Sequence, residues 1–270
     1  MTAVELQGAY NVRDLGGLRT SDGRRTRHGL VYRGDSLDHL TGSDTELLFS
    51  KLGIGAVIDL RTKEETDMAG ERYPVPGYRY SILAEGRLGR EPFPSDDPEE
   101  LAKVYLSNLD HGRAAAVAAI EIVAHYLSAD VPSLFHCAAG RDRTGIISAI
   151  LLGLVNVTDE QIAADYVASN RHARLVTRKL ATNPLYSDSG ARGREVILLK
   201  PETIGEFLRL LREKFGGPRQ FLLDSEIAPE AISDIEGHFV TSAEDQPAVL
   251  DDAPAPGTDA AAADPGAGRS

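Results

Sequence analysis

The sequence predicts an α/β layered domain, with a central, mostly parallel or mixed sheet covered on both faces by helices. Three observations predict it. Short runs rich in branched apolar residues alternate with helical patterns through the first half of the chain. The second half is dense in helical patterns separated by short breaks. The most apolar of these helices begins directly after a strand and a short glycine-containing loop, an arrangement typical of layered α/β units.

The strands fall at 30–33, at AVIDLR (56–61), at YRYSIL (78–83) and at PSLFHC (132–137). Between them, 43–52 reads as a helix with Ser43 as N-cap and Glu46 at the capping-box position, and the alanine-rich 113–129 reads as another. Helices then follow at 143–155, at 158 to about 170, at 171–181, at 201–215 and at 229–239, with Thr158 and Gln161 forming a second capping box. NPLYSDSGARGR (183–194) interrupts this run with Pro, Gly and Ser and reads as a mobile surface loop. No internal repeat is present.

A chain of 270 residues with 42% hydrophobic content can bury one good core, so one domain over 1–240 is expected. The remainder, 241–270, is rich in Ala, Asp and Pro, lacks aromatics and carries six acids against one base, so it is expected to be disordered. With that tail set aside, the net charge of −12 falls to about −7. An acidic domain without a basic stripe backed by aromatics argues against nucleic acid as a partner. A single cysteine permits no internal disulfide and fits a reducing compartment. The N-terminus lacks the pattern of a secretory signal, and the longest apolar run, 146–155, is about half of the ~20 residues a membrane span requires. A soluble, cytoplasmic protein without stable membrane insertion is expected.

The chemistry is concentrated in HCAAGRDRTG. A strand delivers Cys137 to its C-terminal end, five residues intervene, and Arg143 follows where the next helix starts. Backbone N–H groups of Ala138, Ala139, Gly140, Arg141, Asp142 and Arg143 can then converge on one point, closed by the helix N-terminus and its partial positive charge. Such a nest suits a phosphoryl dianion. Gly140 relieves the tight turn, and the planar fork of Arg143 can grip two equatorial oxygens in both ground and transition states. The same field stabilises a negative sulfur, which makes Cys137 a nucleophile. His136 can order the loop, and the Thr144 hydroxyl can point back at the sulfur and help it leave.

His-Cys, five residues and Arg-Thr-Gly resemble the signature of cysteine-dependent protein tyrosine phosphatases. The form Ala-Gly-Arg-Asp-Arg-Thr-Gly is similar to that of a bacterial branch with dual or triple specificity, in which Lys usually stands where Arg141 stands here. NVRDLGGLRTSDGRRTRHGLVYRGDSL (11–37), VIDLRTKEE and the C-terminal EFLRLLREKFGGPRQFLLDSEIAPEAISDIEGHF also resemble this branch, so the likeness covers about 8–240. It implies a tyrosine-phosphatase-like central mixed sheet flanked by helices, with helical C-terminal additions. It also implies a phosphocysteine intermediate, no metal and no cofactor. Members of the branch act on phosphotyrosine, phosphoserine/threonine and phosphoinositides, so a phosphorylated protein or a phosphoinositide is the expected partner.

Two carboxylates compete for the role of general acid. Asp142, inside the loop, is the first candidate and the one the resemblance implies; the bland alternative is that it fixes the loop by accepting backbone N–H bonds. Asp59, at the end of a strand on the ligand-binding rim, is the second, against a salt bridge to Arg61 or another buried arginine. Arg13, Asp14 and Arg33 are expected to pack the N-terminal segment beside the loop rather than to act on substrate. Arg171, Arg174 and Arg178 fall near one helix face, which is either simply solvated or able to guide anions. A rhodanese-like sulfurtransferase and a catalytically silent phospho-binding module remain as alternatives from other classes.

Overall fold

The computed structural model describes residues 2–68, 79–82, 97–181, 196 and 198–241. The surface loop expected at 183–194, and all but Thr241 of the tail expected at 241–270, lie outside them.

The chain enters through two short strands, β1 (Thr2–Ala3) and β2 (Arg13–Asp14), and continues into β3 (Val31–Gly34). A single helical turn α1 (Gly42–Thr45) runs on into a π-helical segment, Glu46–Lys51, and leads to β4 (Ala56–Asp59) and the short α2 (Lys63–Asp67). After β5 (Arg79–Ile82) come α3 (Pro98–His111) and α4 (Arg113–Ser128), then β6 (Ser133–His136) and α5 (Asp142–Leu154). The C-terminal helices are α6 (Asp159–Ala168), a 3-10 turn (Ser169–His172), α7 (Ala173–Leu180), α8 (Pro201–Phe215), α9 (Pro218–Leu223) and α10 (Pro229–His238).

The six strands lie in the order β1-β2-β3-β6-β4-β5. The β3, β6, β4 and β5 ladders are parallel, whereas β1 and β2 join antiparallel, so the sheet is mixed as expected. Strand alternation sorts the two faces. Tyr32, Val57 and Leu134 pack with Leu48, Phe49 and Ile54 on one side, and Val31, Ile58 and Phe135 join the larger helical core on the other. The helix α5 is buried on every side, with Ile146, Ile147, Ile150, Leu151 and Leu152 all inaccessible, and it forms the centre of that core.

Three differences from the sequence reading have local causes. The first helix is capped by Thr41, not Ser43: Asp44 supplies the reciprocal carboxylate to the Thr41 N–H at 2.9 Å and also accepts from Gln7 and Gly8. The box expected at Thr158 is half formed, because the Thr158 hydroxyl accepts from the Gln161 N–H while the Gln161 side chain lies toward the Arg19 N–H. Helix α3 was not expected. Its start is nonetheless written locally, with Asp97 capping the Glu99 and Glu100 N–H groups and Pro98 in the first turn.

Candidate active site

His136, the last residue of β6, stands opposite Gly34 of β3 and Asp59 of β4, so Cys137 emerges at the carboxyl end of three parallel strands. This is the edge where open α/β sheets bind ligands. The thiol is 2% exposed and lies at the base of the loop that connects β6 to α5. Gly140 takes φ 66°, and a Cβ there would lie 2.5 Å from the Gly34 carbonyl oxygen, so only glycine fits.

The loop is held from outside by its carbonyls. Ser36 N–H donates to the Ala138 oxygen at 3.2 Å, Asn11 Nδ2 to Gly140 at 2.9 Å and to Ala139 at 3.3 Å, and Arg33 Nη2 to Gly140 at 2.8 Å. With these carbonyls turned outward, the N–H groups of Ala138, Ala139 and Gly140 are left for the inner face, where they meet no protein acceptor among the described residues. Behind the carbonyls, Asp165 accepts from Arg13 Nε at 2.7 Å and from Arg33 Nη1, and Arg13 Nη1 donates to Asn11 Oδ1 at 2.6 Å. Asp35 accepts the Tyr10 and Asn11 N–H groups and pairs with Lys179 at 2.9 Å. Arg13 and Arg33 thus sit behind the loop, at its supports. Asp14 is not brought to the loop: it accepts from Gly16, Gly29 and His28 and closes its own hairpin.

Arg143 opens α5 with its guanidinium gripped at both ends by Glu65, at 2.7 Å from each carboxylate oxygen, and it also reaches the Leu60 carbonyl at 3.3 Å. Glu65 is in turn fixed as the capping-box residue of α2, accepting from Thr62 N–H at 2.7 Å. This pairing sets the plane of the guanidinium before any ligand arrives. Glu65 was not singled out from the sequence, although Thr62 and Glu65 have the capping-box spacing that could have found it.

The two carboxylates expected to compete occupy different surroundings. Asp142 is partly accessible and accepts at Oδ1 from the Tyr105 hydroxyl, not from backbone N–H groups. Asp59 is fully buried and accepts from the Arg61 backbone N–H at 2.9 Å, from Nε at 3.0 Å and from Nη2 at 2.8 Å. Burial alone would raise the Asp59 pKa, but neighbouring His136 and the Arg61 guanidinium more than offset it and hold the carboxyl well below the usual range. Arg61 also pairs with Asp38, at 2.9 Å through Nη2.

Burial pushes His136 below the ordinary histidine value, with Asp59 only partly opposing. One of its nitrogens lies 3.2 Å from the Cys137 carbonyl oxygen. Thr144 is fully buried, and its hydroxyl has no hydrogen-bond partner among the described residues. Arg171 and Arg174 line an open groove of about 610 Å³ together with His172 and Leu198, away from the loop's inner face.

A mixed sheet that delivers one thiol into an N–H-lined loop, closed by a clamped arginine at a helix start, fits the class of tyrosine-type phosphatases. Comparison with known proteins agrees. Residues 4–241 match the tyrosine phosphatase family, and the chain belongs to that family. It is a tyrosine-phosphatase-type phosphoric monoester hydrolase. The chain is 26% identical over 277 residues to the triple specificity protein phosphatase PtpB of Mycobacterium tuberculosis, covering 88% of this chain and 99% of that protein. It is 31% identical over 137 residues to a tyrosine-protein phosphatase of Nostoc commune, covering 49% of this chain and 46% of that one. Among solved structures, the catalytic domain of the PP-IP phosphatase SIW14 from S. cerevisiae covers 77% of this chain and 95% of its own, at 16% identity and a TM-score of 0.35. Among the described residues, no helix is long and apolar enough to cross a membrane.

Proposed function

We propose that the chain hydrolyses phosphotyrosine, and by extension phosphoserine/threonine and phosphoinositides, through a phosphocysteine intermediate. The observation that carries this is the pairing of Cys137 with a guanidinium already oriented by Glu65, across a loop whose carbonyls are bonded outward. The Cys137 thiolate attacks phosphorus. As the S–P bond forms, the ester P–O bond breaks and the leaving oxygen takes the proton of Asp142. Water then attacks phosphorus and gives its proton to the Asp142 carboxylate, and the S–P bond breaks to return thiolate and free phosphate.

In both steps the N–H groups of the loop and Arg143 hold the equatorial oxygens, and the unpartnered Thr144 hydroxyl is suited to stabilise the departing sulfur. Asp59 suits the acid role poorly, because ionisation is enforced by Arg61 and the carboxylate is sealed from solvent. The lone thiol fits a reducing compartment, which supports a cytoplasmic activity.

The test combines two substitutions and two substrates. Cys137→Ser should abolish turnover yet retain tungstate or vanadate binding, because the serine hydroxyl is a far poorer nucleophile while the N–H nest persists. Turnover comparable to the parent protein would refute the mechanism. Asp142→Asn should lower kcat/KM for phenyl phosphate by about 10²-fold or more but kcat/KM for p-nitrophenyl phosphate far less, since the activated leaving group needs little protonation and kcat/KM excludes the shared hydrolysis step. Equal slowing of both substrates by Asp142→Asn, with unequal slowing by Asp59→Asn, would reverse the assignment. Thiosulfate sulfurtransfer by the parent protein would instead support the rhodanese-like alternative.

A further inference from the structure

We propose that Tyr105 and Tyr166 form a buried positioning relay that holds one oxygen of Asp142 and leaves the other to carry the transferred proton. The inference rests on the assignment of Asp142 as proton donor made above. Neither tyrosine is a catalytic residue in this scheme, because neither touches the reacting atoms.

Three elements far apart in sequence build the relay. Tyr105 projects from α3, Tyr166 from α6, and Asp142 stands in the first turn of α5. The Tyr105 hydroxyl donates to Asp142 Oδ1 and lies 2.7 Å from the Tyr166 hydroxyl. Each phenol has a single proton. Since that of Tyr105 is committed to Asp142, the Tyr166 hydroxyl must be the donor to Tyr105, and the relay has one direction, Tyr166 to Tyr105 to Asp142. Oδ1 is thereby occupied, whereas Oδ2 has no hydrogen-bond partner among the described residues and is the oxygen available to a leaving group.

The phenols are rigid. Tyr105 is inaccessible and Tyr166 is 1% exposed; their rings meet edge to face at 6.3 Å, and Phe207 of α8 packs edge to face on Tyr105 at the same distance. Burial, reinforced by the charge of Asp142, raises both above the ordinary tyrosine value, so both remain protonated donors at neutral pH.

The last glycine of the Arg-Thr-Gly sequence belongs to the same device. A Cβ at Gly145 would stand 3.1 and 3.2 Å from Cδ2 and Cε2 of Tyr166, tighter than side chains ordinarily tolerate. Glycine there lets the Tyr166 ring lie against α5 with its hydroxyl at Tyr105. Gly145 is helical and has no left-handed backbone to justify it, so the close approach of the ring is the reason for it.

The experiment compares phenyl phosphate with p-nitrophenyl phosphate in the full-length Tyr105→Phe, Tyr166→Phe and Asp142→Asn proteins and in the Tyr105→Phe/Asp142→Asn pair. Tyr105→Phe keeps the ring and removes the donor, so kcat/KM, which reports P–O cleavage and not the hydrolysis step that both esters share, should fall about tenfold more for phenyl phosphate than for the activated ester. Tyr166→Phe should act in the same sense but less strongly. The double variant should be no slower than Asp142→Asn alone, because the relay acts only through that carboxyl. Equal slowing of both esters by Tyr105→Phe, no slowing of either, or losses that multiply in the double variant would each overturn the relay. If Asp142→Asn itself slows both esters equally, the acid assignment fails, a result distinct from failure of the relay. Gly145→Ala gives a second route: it should reproduce the leaving-group signature of Tyr166→Phe, and a folded Gly145→Ala protein with unchanged kinetics for both esters would count against the packing argument.

Discussion

Replacing Asp165 with Asn tests whether the loop is shaped from behind. Asp165 is 1% exposed and is the shared counter-charge of Arg13 and Arg33, themselves 5% and 0% exposed. Asparagine keeps the shape and one acceptor but leaves two buried guanidiniums without compensation. Removing one member of a buried ion pair costs about 3–5 kcal/mol, and because asparagine retains a hydrogen bond the lower end, about 3 kcal/mol, is expected. Against a total stability of about 5–15 kcal/mol this is a large fraction. With a urea m-value near the top of the usual range, about 3 kcal/mol/M, the midpoint should fall by about 1 M.

The pH dependence gives an independent check of the same reasoning. Burial by itself would raise the Asp165 pKa, but Arg13 and Arg33 more than compensate and hold it below the ordinary value. In acid the unfolded chain therefore binds the proton first. The stabilisation is complete above the unfolded carboxyl value of about 4 and is lost as pH falls through the lower folded value. The gap in urea midpoint between the parent protein and Asp165→Asn should be flat from pH 5.5 to 7.5 (approximate limits set by that unfolded value) and narrow below about pH 4. Tungstate affinity should fall as well, because Arg33, which donates to the Gly140 carbonyl, and Arg13, which holds Asn11 there, both lose their counter-charge. A midpoint shift under about 0.3 M, or a gap that does not narrow in acid, would refute the argument.

Two further outcomes are expected. Glu65→Gln should lower kcat/KM for both aryl esters about equally, by about 10-fold or more, because it loosens Arg143 in ground and transition states alike; a normal rate would show that the Glu65 grip does not set the guanidinium. Brief peroxide treatment should inactivate the enzyme, bound phosphate should slow the loss, and prompt thiol should restore activity only before over-oxidation, since no second cysteine can trap the sulfenic acid. Activity untouched by peroxide would mean that Cys137 is not an accessible thiolate.

Much of the fold was legible because it is encoded at short range. The strands at 56–59, 79–82 and 133–136 lie within the runs read from the sequence, and that at 31–34 is one residue off the run read at 30–33, since β-forming residues bounded by turn residues specify strands locally. Helix α8 was read with its bounds intact, with Pro201 in the first turn and Gly216 in the left-handed conformation closing it. The nearly invisible elements were those whose stability is borrowed from elsewhere. β2 has only two residues, Arg13 and Asp14, and exists because β3 pairs with it.

By itself, the sequence determined the α/β class and the cradle from Cys137 to Arg143, because a strand, a glycine-bearing turn and a helix start adjacent in the chain are held together by local backbone geometry. Only the tertiary structure decided what surrounds that cradle. Glu65 meets Arg143 across 78 residues, Asp165 meets Arg33 across 132, and Tyr105 meets Asp142 across 37. Separations of that size leave no periodicity or spacing to read. The physical reason is that a buried charge or hydroxyl must find a partner wherever the folded chain supplies one, and which residue that will be is fixed by packing of the sheet and helices, not by neighbours in sequence.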